Sequence, residues 1–290
     1  MSVSVANPTA VDVRRLLIHS RPRFWLYLAG PVAVGIVYGA TGPGALASVT
    51  VIILLAYFLV PANVFLYGVN DIFDADLDRR NPKKFDRERR WEGNRMVVGG
   101  VLLAGVLGLV TFAVTPLVAW PYLAGFFILG AAYSAPPLRF KTTPGFDSAA
   151  NGLYILPGAA AYAALAGSHP PLAALLGGWV WAMGMHAFSA IPDVPPDRAA
   201  GVATTATVLG AAGTLWFCLM CWTVATISFA VLDVRLGAIL AVYPLVAGWI
   251  LVRAIPVRAA YWWFPVLNGV VGMIITVGGL WRLTGGVVFG

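Results

Sequence analysis

The chain consists largely of long apolar runs, and their length limits the fold more than any other feature of the sequence. Nine runs are separated by charged or Pro/Gly-rich breaks; they lie at 24–40, 45–69, 96–115, 118–135, 149–167, 172–191, 205–231, 234–252 and 262–281. A helix of about 20 apolar residues crosses the hydrocarbon core of a bilayer and satisfies its own backbone hydrogen bonds there. We therefore predict an all-α polytopic membrane protein with nine transmembrane helices.

The composition leaves little room for a soluble domain. Of the 290 residues, 60% are hydrophobic and 11% are charged. Residues 1–20 lack the apolar core and cleavage site of a signal peptide. Cys218 and Cys221 lie in an apolar run without a neighbouring histidine or acid, which favours packing over a disulfide or a zinc site. We predict a cytoplasmic N-terminal arm, residues 1–23, and one transmembrane domain, residues 24–290.

The charged residues are distributed unevenly between the two predicted membrane faces. All 19 Lys and Arg residues except Arg235 and Arg282 fall on the face of the N-terminus. Because Lys and Arg concentrate in cytoplasmic loops, this pattern predicts a cytoplasmic N-terminus and a place in the cytoplasmic membrane. It also accounts for the net charge of +7 without a nucleic-acid partner. All acids except Asp233 share that face, and since acids contribute little to orientation, a binding site is expected there.

An acidic motif follows the second run. At 100° per residue, Asn70, Asp71, Asp74 and Asp78 project from one side of a helix. Carboxylates so close together repel each other unless a cation lies between them. Oxygen ligands of this kind suit a hard cation such as Mg²⁺.

A second acidic motif follows the sixth run, where Asp193 and Asp197 are spaced i, i+4. The two motifs suggest a repeat, with runs 1–4 and 5–8 as two similarly oriented four-helix halves and the ninth helix added. In such a repeat the motifs face each other across a shared central cavity. Facing carboxylate clusters can hold a diphosphate through bridging Mg²⁺, so the five aspartates are predicted as catalytic residues and, with Asn70, as metal ligands.

Basic side chains must offset the remaining negative charge of such a site. A site with five aspartates, a diphosphate and two Mg²⁺ ions keeps an excess of negative charge. The basic candidates on the cytoplasmic face are Lys141, Arg139, Arg198, Lys83, Lys84, Arg21 and Arg23. Lys141 is the strongest candidate, because its short segment holds little other basic charge.

The two motifs, N-D-x-x-D-x-x-x-D at 70–78 and D-x-x-x-D at 193–197, resemble those of the UbiA-type intramembrane prenyltransferases. The segment from Tyr133 to Lys141 is similar to a loop of that family, and the resemblance runs over nearly the whole chain. It implies nine helices around a lateral cavity, Mg²⁺-diphosphate bound by the acidic motifs, Tyr133 and Lys141 near the diphosphate, and a prenyl tail among the helices. The segments 79–84 and 193–210 are more similar to the lycopene elongase branch.

The resemblance implies transfer of a prenyl group, dimethylallyl in the elongase branch, to a hydrophobic acceptor from the bilayer. The acceptor would be lycopene or a related carotenoid, whose terminal double bond attacks an allylic cation; the product cation then loses a proton or captures water. An aromatic or quinone-precursor acceptor is the alternative. Two other classes, a membrane transporter and a lipid-phosphate transferase of the CDP-alcohol kind, fit the acidic motifs less well.

Helical projection extends the predicted site into the membrane. Tyr67 and Asn63 share the face of Asp71, whereas His186 and Trp179 share the face of Asp193, with Trp181 pointing elsewhere. Tyr67 and Trp179 are expected to steady a carbocation through their rings.

Polar groups at membrane depth are uncommon, which draws attention to Asn63 and His186. For His186 two interpretations stay open: a proton acceptor, or a hydrogen bond between helices. His19 and His169 lie near predicted membrane ends and give no comparable signal. Gly35 and Gly39 have the spacing of a close helix contact.

Overall fold

The computed structural model describes residues 16–74 and 95–285, and the regular structure in these ranges is helical. The α-helices are α1 (Leu26–Gly39), α2 (Val49–Leu59), α3 (Pro61–Phe73), α4 (Arg95–Ala113), α5 (Trp120–Ser134), α6 (Phe146–Ala149), α7 (Leu156–Ala166), α8 (Leu172–Ala190), α9 (Val194–Ala199), α10 (Thr205–Leu232), α11 (Val234–Leu240), α12 (Val242–Arg253), α13 (Val257–Tyr261) and α14 (Phe264–Leu283). Short 3₁₀ turns lie at Pro22–Phe24, Pro43–Ala47, Leu117–Ala119, Phe140–Thr142, Ala150–Tyr154 and Ile191–Asp193.

Eight helical segments of the described ranges are long and apolar enough to cross a membrane. They are Val49–Phe73, Arg95–Ala113, Leu117–Ser134, Phe146–Ala166, Leu172–Ala199, Thr205–Leu232, Val234–Arg253 and Phe264–Leu283. These segments correspond to eight of the nine predicted crossings, so the protein is an integral membrane protein.

The first predicted crossing, 24–40, is shorter than expected. It corresponds to α1, whose 14 residues rise about 21 Å, against about 30 Å for a hydrocarbon core. The 3₁₀ turn Pro22–Phe24 precedes α1, and the backbone is extended at Ala40, after its last residue. The count of nine full-length crossings is therefore not confirmed.

The helices pack around two large apolar clusters, and a small third cluster of Val69, Val97 and Val101 joins α3 to α4. One contains Leu54, Phe58 and Phe126 and draws its buried residues from α1, α2, α3, α5 and α7 and the turns beside them. The other contains Phe188 and Trp222 and draws on α8, α10, α12 and α14 and the segments that flank them. The buried residues of the first large cluster end at Ala163 and those of the second begin at Ala187, so the division between them falls after the fifth predicted run. The two similarly oriented halves, runs 1–4 and 5–8, stay a prediction.

Helices α1 and α7 approach each other through glycine. A Cβ atom on Gly35 would collide with the backbone of Gly158, and one on Gly39 would collide with the backbone of Tyr162. Small residues four apart let two membrane helices come this close, which confirms the packing interpretation of the pair. The contact brings α1 beside the cavity that holds the acidic motifs.

Gly35→Val should lower the free energy of unfolding by about 2 kcal/mol or more, because the added side chain must displace backbone rather than a flexible side chain. Gly30→Ala on the same helix is the matched control, since nothing lies within 4 Å of a Cβ built there. Thermal unfolding in detergent micelles measures both variants. Equal stability of the two would contradict the close approach of α1 and α7.

Candidate active site

A cavity of about 1990 Å³ lies among the helices, and residues of both acidic motifs line it. Asn70 and Asp71 enter the wall from the end of α3, and Asp193 enters from the turn after α8. The volume is roughly twice the upper end of the 300–1,000 Å³ range of ordinary small-molecule pockets. A long apolar molecule therefore has room beside an anionic one.

Asp71 is buried and is contacted by two groups from the N-terminal arm. His19 Nδ1 lies 2.8 Å from Asp71 Oδ2, and an Arg21 terminal nitrogen donates to Asp71 Oδ1 at 2.9 Å. The Arg21 guanidinium also lies 4.8 Å from the centre of the Tyr67 ring. Arg21 is thus held between the first acidic motif and a cavity wall, the position predicted for a residue that binds diphosphate.

Asp74 ends α3 and is contacted by the segment after α5. The ammonium of Lys141 forms an ion pair with Asp74, and a terminal nitrogen of Arg139 lies 3.8 Å from Asp74 Oδ1. That nitrogen also donates to the carbonyl of Phe73 at 3.1 Å. The loop after α5 therefore reaches the first acidic motif. Asp78, Lys83 and Lys84 lie outside the described residues.

The second acidic motif is split by prolines. Asp193 closes the turn Ile191–Asp193, whereas Asp197 lies in the following helix α9. Asp193 lines the cavity, and Asp197 is not among the residues that line it. The two carboxylates are therefore not on one continuous helix, as a simple i, i+4 projection would have them.

The donor groups suit Mg²⁺ better than a softer metal. Among the described residues, no cluster of three or more His, Cys, Asp or Glu side chains forms a closed metal cage. Mg²⁺ usually keeps several waters and binds through one or two carboxylates together with substrate phosphates. Asn70, Asp71 and Asp193, which offer oxygen atoms to a roomy cavity, fit that mode.

Asn63 was predicted on the cavity face, but its side chain bonds to the backbone at the helix break between α2 and α3. Its side-chain amide donates to the carbonyls of Phe58 and Leu59, at 3.1 Å and 3.0 Å. The backbone at Val60 is not helical, with φ −125° and ψ −60°, so carbonyls at the end of α2 lose their helical partners. Asn63 is fully buried and is not among the residues that line the cavity, so its contacts in the structure are those of the helix break.

Arg198 was predicted to bind diphosphate, but its contacts lie elsewhere. Two of its nitrogens donate to the carbonyl of Thr207, at 3.1 Å and 2.7 Å. Helix α10 is broken at Gly210, where φ is 69°, so the turn before it has a carbonyl free to accept. Arg198 does not line the cavity and holds this kink together.

The projection along α8 is wrong for its two tryptophans. Trp181 lines the cavity, whereas Trp179 packs over Gly152 and the first apolar cluster. Gly178, Trp181, Met185 and Ser189 line the cavity at helical spacing, so the lining face of α8 is centred to one side of Asp193 and angles counted from Asp193 misplace both tryptophans. The cavity-facing tryptophan of this helix is therefore Trp181.

Tyr67, Tyr133 and His186 line the cavity, on the sides that the sequence predicted. The hydroxyls of Tyr67 and Tyr154 lie 3.3 Å apart. The rings of Tyr133 and His186 pack edge to face, with 6.0 Å between their centroids. Arg23, a weaker basic candidate, stacks over Trp262 at 4.2 Å.

Sequence reasoning missed three polar residues at this site: His19, Asp147 and Asn151. His19 contacts Asp71, and His19 and Asn151 both line the cavity. Asp147 is buried beside His186, with 3.9 Å between Asp147 Oδ2 and His186 Nε2. The only signal for Asp147 was its place on the acid-rich face, six residues after Lys141.

An oxygen-rich acidic site flanked by Arg and Lys, beside an apolar cavity among membrane helices, defines a class of membrane enzyme that binds an anionic head group and a lipid-soluble chain. The model of the UbiA prenyltransferase family matches residues 28–263, and the chain belongs to this family. It is a prenyltransferase.

Three curated relatives, each named lycopene elongase/hydratase, are similar over nearly their whole length. The protein of Haloferax volcanii is 58% identical over 93% of this chain and 90% of its own. That of Halobacterium salinarum is 56% identical over 94% and 99%, and that of Haloarcula japonica is 52% identical over 96% and 95%.

Solved structures share the fold. A UbiA homolog from Archaeoglobus fulgidus bound to GPP and Mg²⁺ has a TM-score of 0.74 over 93% of this chain and 99% of its own, at 21% identity. The same homolog bound to DMAPP and Mg²⁺ has a TM-score of 0.73 over the same shares, also at 21% identity.

Asn63→Leu should lower the free energy of unfolding by on the order of 2 kcal/mol, because two buried carbonyls lose their donor. Thr50→Val, which removes a hydroxyl that donates to one carbonyl of α4's C-terminal end, is the control with a smaller loss. Unfolding in detergent is compared with acceptor binding for each variant. A stable Asn63→Leu protein that fails to bind its acceptor would instead restore the cavity role.

Proposed function

We propose that the protein is a Mg²⁺-dependent lycopene elongase, which transfers a dimethylallyl group from its diphosphate to the end of lycopene or a related carotenoid, with hydration of the product. The observation that carries this proposal is that Asp71 and Asp193, one from each acidic motif, line one large cavity among apolar helices. The names of relatives at 52–58% identity support the acceptor, and the ligands of the solved homolog support a prenyl diphosphate and Mg²⁺.

The acidic motifs are the proposed binding site for two Mg²⁺ ions. The proposed ligands are Asn70, Asp71, Asp74, Asp78, Asp193 and Asp197. When bound there, Mg²⁺ neutralises the charge of the diphosphate and makes it a better leaving group.

Basic side chains would hold the diphosphate from the other side. Arg21 and Lys141 already contact Asp71 and Asp74, so a diphosphate bound at these carboxylates lies within reach of both cations. Fixed cations stabilise the negative charge that grows on the leaving group as the C–O bond breaks. Arg139 supports the same end of the site, and Lys84 is proposed to contribute from outside the described residues.

The apolar part of the cavity would guide the reaction of the allylic cation. Tyr67, Tyr154 and Trp181 line it, and aromatic faces attract a cation electrostatically. Tyr133 is proposed to lie between the diphosphate and this aromatic part. The acceptor enters from the bilayer, and its terminal double bond supplies the electron pair for the new C–C bond.

The proposed orientation places the N-terminus of the chain in the cytoplasm. With α1 as a short ninth crossing, the N-terminal arm is cytoplasmic, and both acidic motifs lie at the inner face of the cytoplasmic membrane. The arm then ends within the active site, because His19 and Arg21 reach Asp71.

Asp71→Asn and Asp193→Asn should each lower product formation by about 100-fold or more, because each removes a carboxylate charge that would bind the Mg²⁺ on the leaving group. The assay supplies membranes with dimethylallyl diphosphate and lycopene and measures carotenoids longer by five carbons. Asp233→Asn is the matched control, because Asp233 caps α11 through an oxygen that Asn retains. Wild-type rates in both site variants, or an aromatic product alone, would contradict the proposal.

Chelation should abolish product formation, and added Mg²⁺ should restore it. Without the metal, the carboxylates and the diphosphate are all negatively charged and repel each other. The same membranes are assayed before chelation, after it and after Mg²⁺ is returned. Turnover that persists in a chelator would exclude the metal site.

A further inference from the structure

Asp147 is a buried carboxylate without a part in the reaction as described so far. Its side chain is anchored at the start of α10: the Thr205 backbone nitrogen donates to Oδ2 at 2.9 Å, and the Thr205 hydroxyl donates to Oδ1. The Asn151 side chain donates to the Asp147 carbonyl at 2.6 Å. Both carboxylate oxygens are therefore fixed by neighbours, and the group has one well-defined orientation.

This orientation directs Asp147 toward His186. Oδ2, the oxygen that accepts from the Thr205 backbone, lies 3.9 Å from His186 Nε2, which is an ion-pair distance rather than a hydrogen bond. His186 lines the cavity, whereas Asp147 does not, so the imidazole stands between the carboxylate and the substrate space. A carboxylate at this distance stabilises the protonated imidazole, and it favours the ring orientation that turns Nε2 toward it.

His186 also lies at a depth in the cavity that suits a contact with the acceptor. It precedes Asp193 by seven residues, about two helical turns, so it stands roughly 10 Å from the second acidic motif along the chain direction. In the proposed reaction the diphosphate and the bond-forming carbon lie at the acidic end. The carbon that becomes electron deficient is the acceptor carbon bonded to the bond-forming one, and proton transfer to His186 requires this carbon to face the imidazole across the cavity.

We propose that His186 accepts the proton released when the extended carotenoid cation is quenched, and that Asp147 positions His186 for this transfer. The inference rests on the proposed function. In hydration, a water oxygen forms a C–O bond to the electron-deficient carbon, one O–H bond of that water breaks, and its proton passes to a ring nitrogen of His186. Without water, a neighbouring C–H bond breaks, its electron pair becomes a new C=C bond, and the proton passes to the same ring. The proton then leaves with the diphosphate or to solvent.

The competing explanation is structural, because Asp147 also joins α6 to the start of α10. A structural defect lowers every step together. Loss of a proton acceptor acts only after the donor has ionised, since ionisation depends on the acidic motifs. The distinguishing quantity is therefore the amount of extended carotenoid formed per diphosphate released.

The test uses the full chain in lipid vesicles with Mg²⁺, lycopene and dimethylallyl diphosphate, and it measures diphosphate, extended carotenoid and the ratio of alcohol to alkene products. His186→Gln should lower carotenoid per diphosphate at least 10-fold, with the missing prenyl groups recovered as the five-carbon alcohol. Asp147→Asn, which keeps an oxygen for Thr205 but loses the charge, should lower the same ratio less. Met183→Leu on α8, away from the cavity, is the control.

An unchanged ratio in both variants, with diphosphate and carotenoid falling together or not at all, would overturn the assignment of His186 and Asp147. A wild-type protein that releases diphosphate without extending lycopene would overturn the proposed function, and the inference with it. A working wild-type enzyme with unaffected variants overturns only the proton acceptor.

Discussion

The site is held together by charge compensation at buried carboxylates. Asp71 and Asp74 are 2% and 1% exposed, and an unpaired carboxylate at such depth costs several kcal/mol. Arg21 and Lys141 supply the opposite charge from two distant parts of the chain, the arm before α1 and the loop after α5. Their contacts bring these two segments to the end of α3.

The same charges also serve binding in the proposed function. Arg21 and Lys141 are the cations that a diphosphate requires, and Asp71 and Asp74 are the carboxylates that Mg²⁺ requires. The charges of these four side chains balance before any substrate is considered, which allows ionised groups to be concentrated at the edge of an apolar core. Stability and substrate binding depend on one set of side chains, so a substitution in this set affects both.

Local properties of the sequence predicted much of the fold. Run length and hydropathy located eight spans, because an apolar helix of sufficient length needs no tertiary information to be recognised. The helical projection held for Tyr67 and Asp71, which share the unbroken helix α3. It failed for Trp179 and Trp181, because Asp193, from which the angles were counted, lies at one edge of the face of α8 that lines the cavity.

The remaining site residues depend on contacts between distant segments. His19 meets Asp71 across 52 positions, and Asp147 meets Thr205 across 58. Neither His19 nor Asp147 belongs to a periodic motif, so the spacing of residues in the sequence does not predict these contacts. Asn63 was predicted from its depth in the membrane and Arg198 from its place beside the second acidic motif, yet their partners are carbonyls exposed at the break between α2 and α3 and at the kink at Gly210. A break in a helix leaves backbone carbonyls without helical partners, and the polar side chains that donate to them look like binding-site residues in the sequence.

The shortness of α1 has a consequence for the lipid around the protein. A 14-residue helix is about a third shorter than the hydrocarbon layer, and a bilayer adapts to a short segment by becoming thinner beside it. With α1 as the proposed ninth crossing, head groups and water would dip toward the midplane along this flank. Since α1 forms part of the cavity wall, the dip brings the aqueous phase and the acyl chains to the same entrance. A water-soluble diphosphate and an oil-soluble polyene, which otherwise occupy separate phases, can meet at that place.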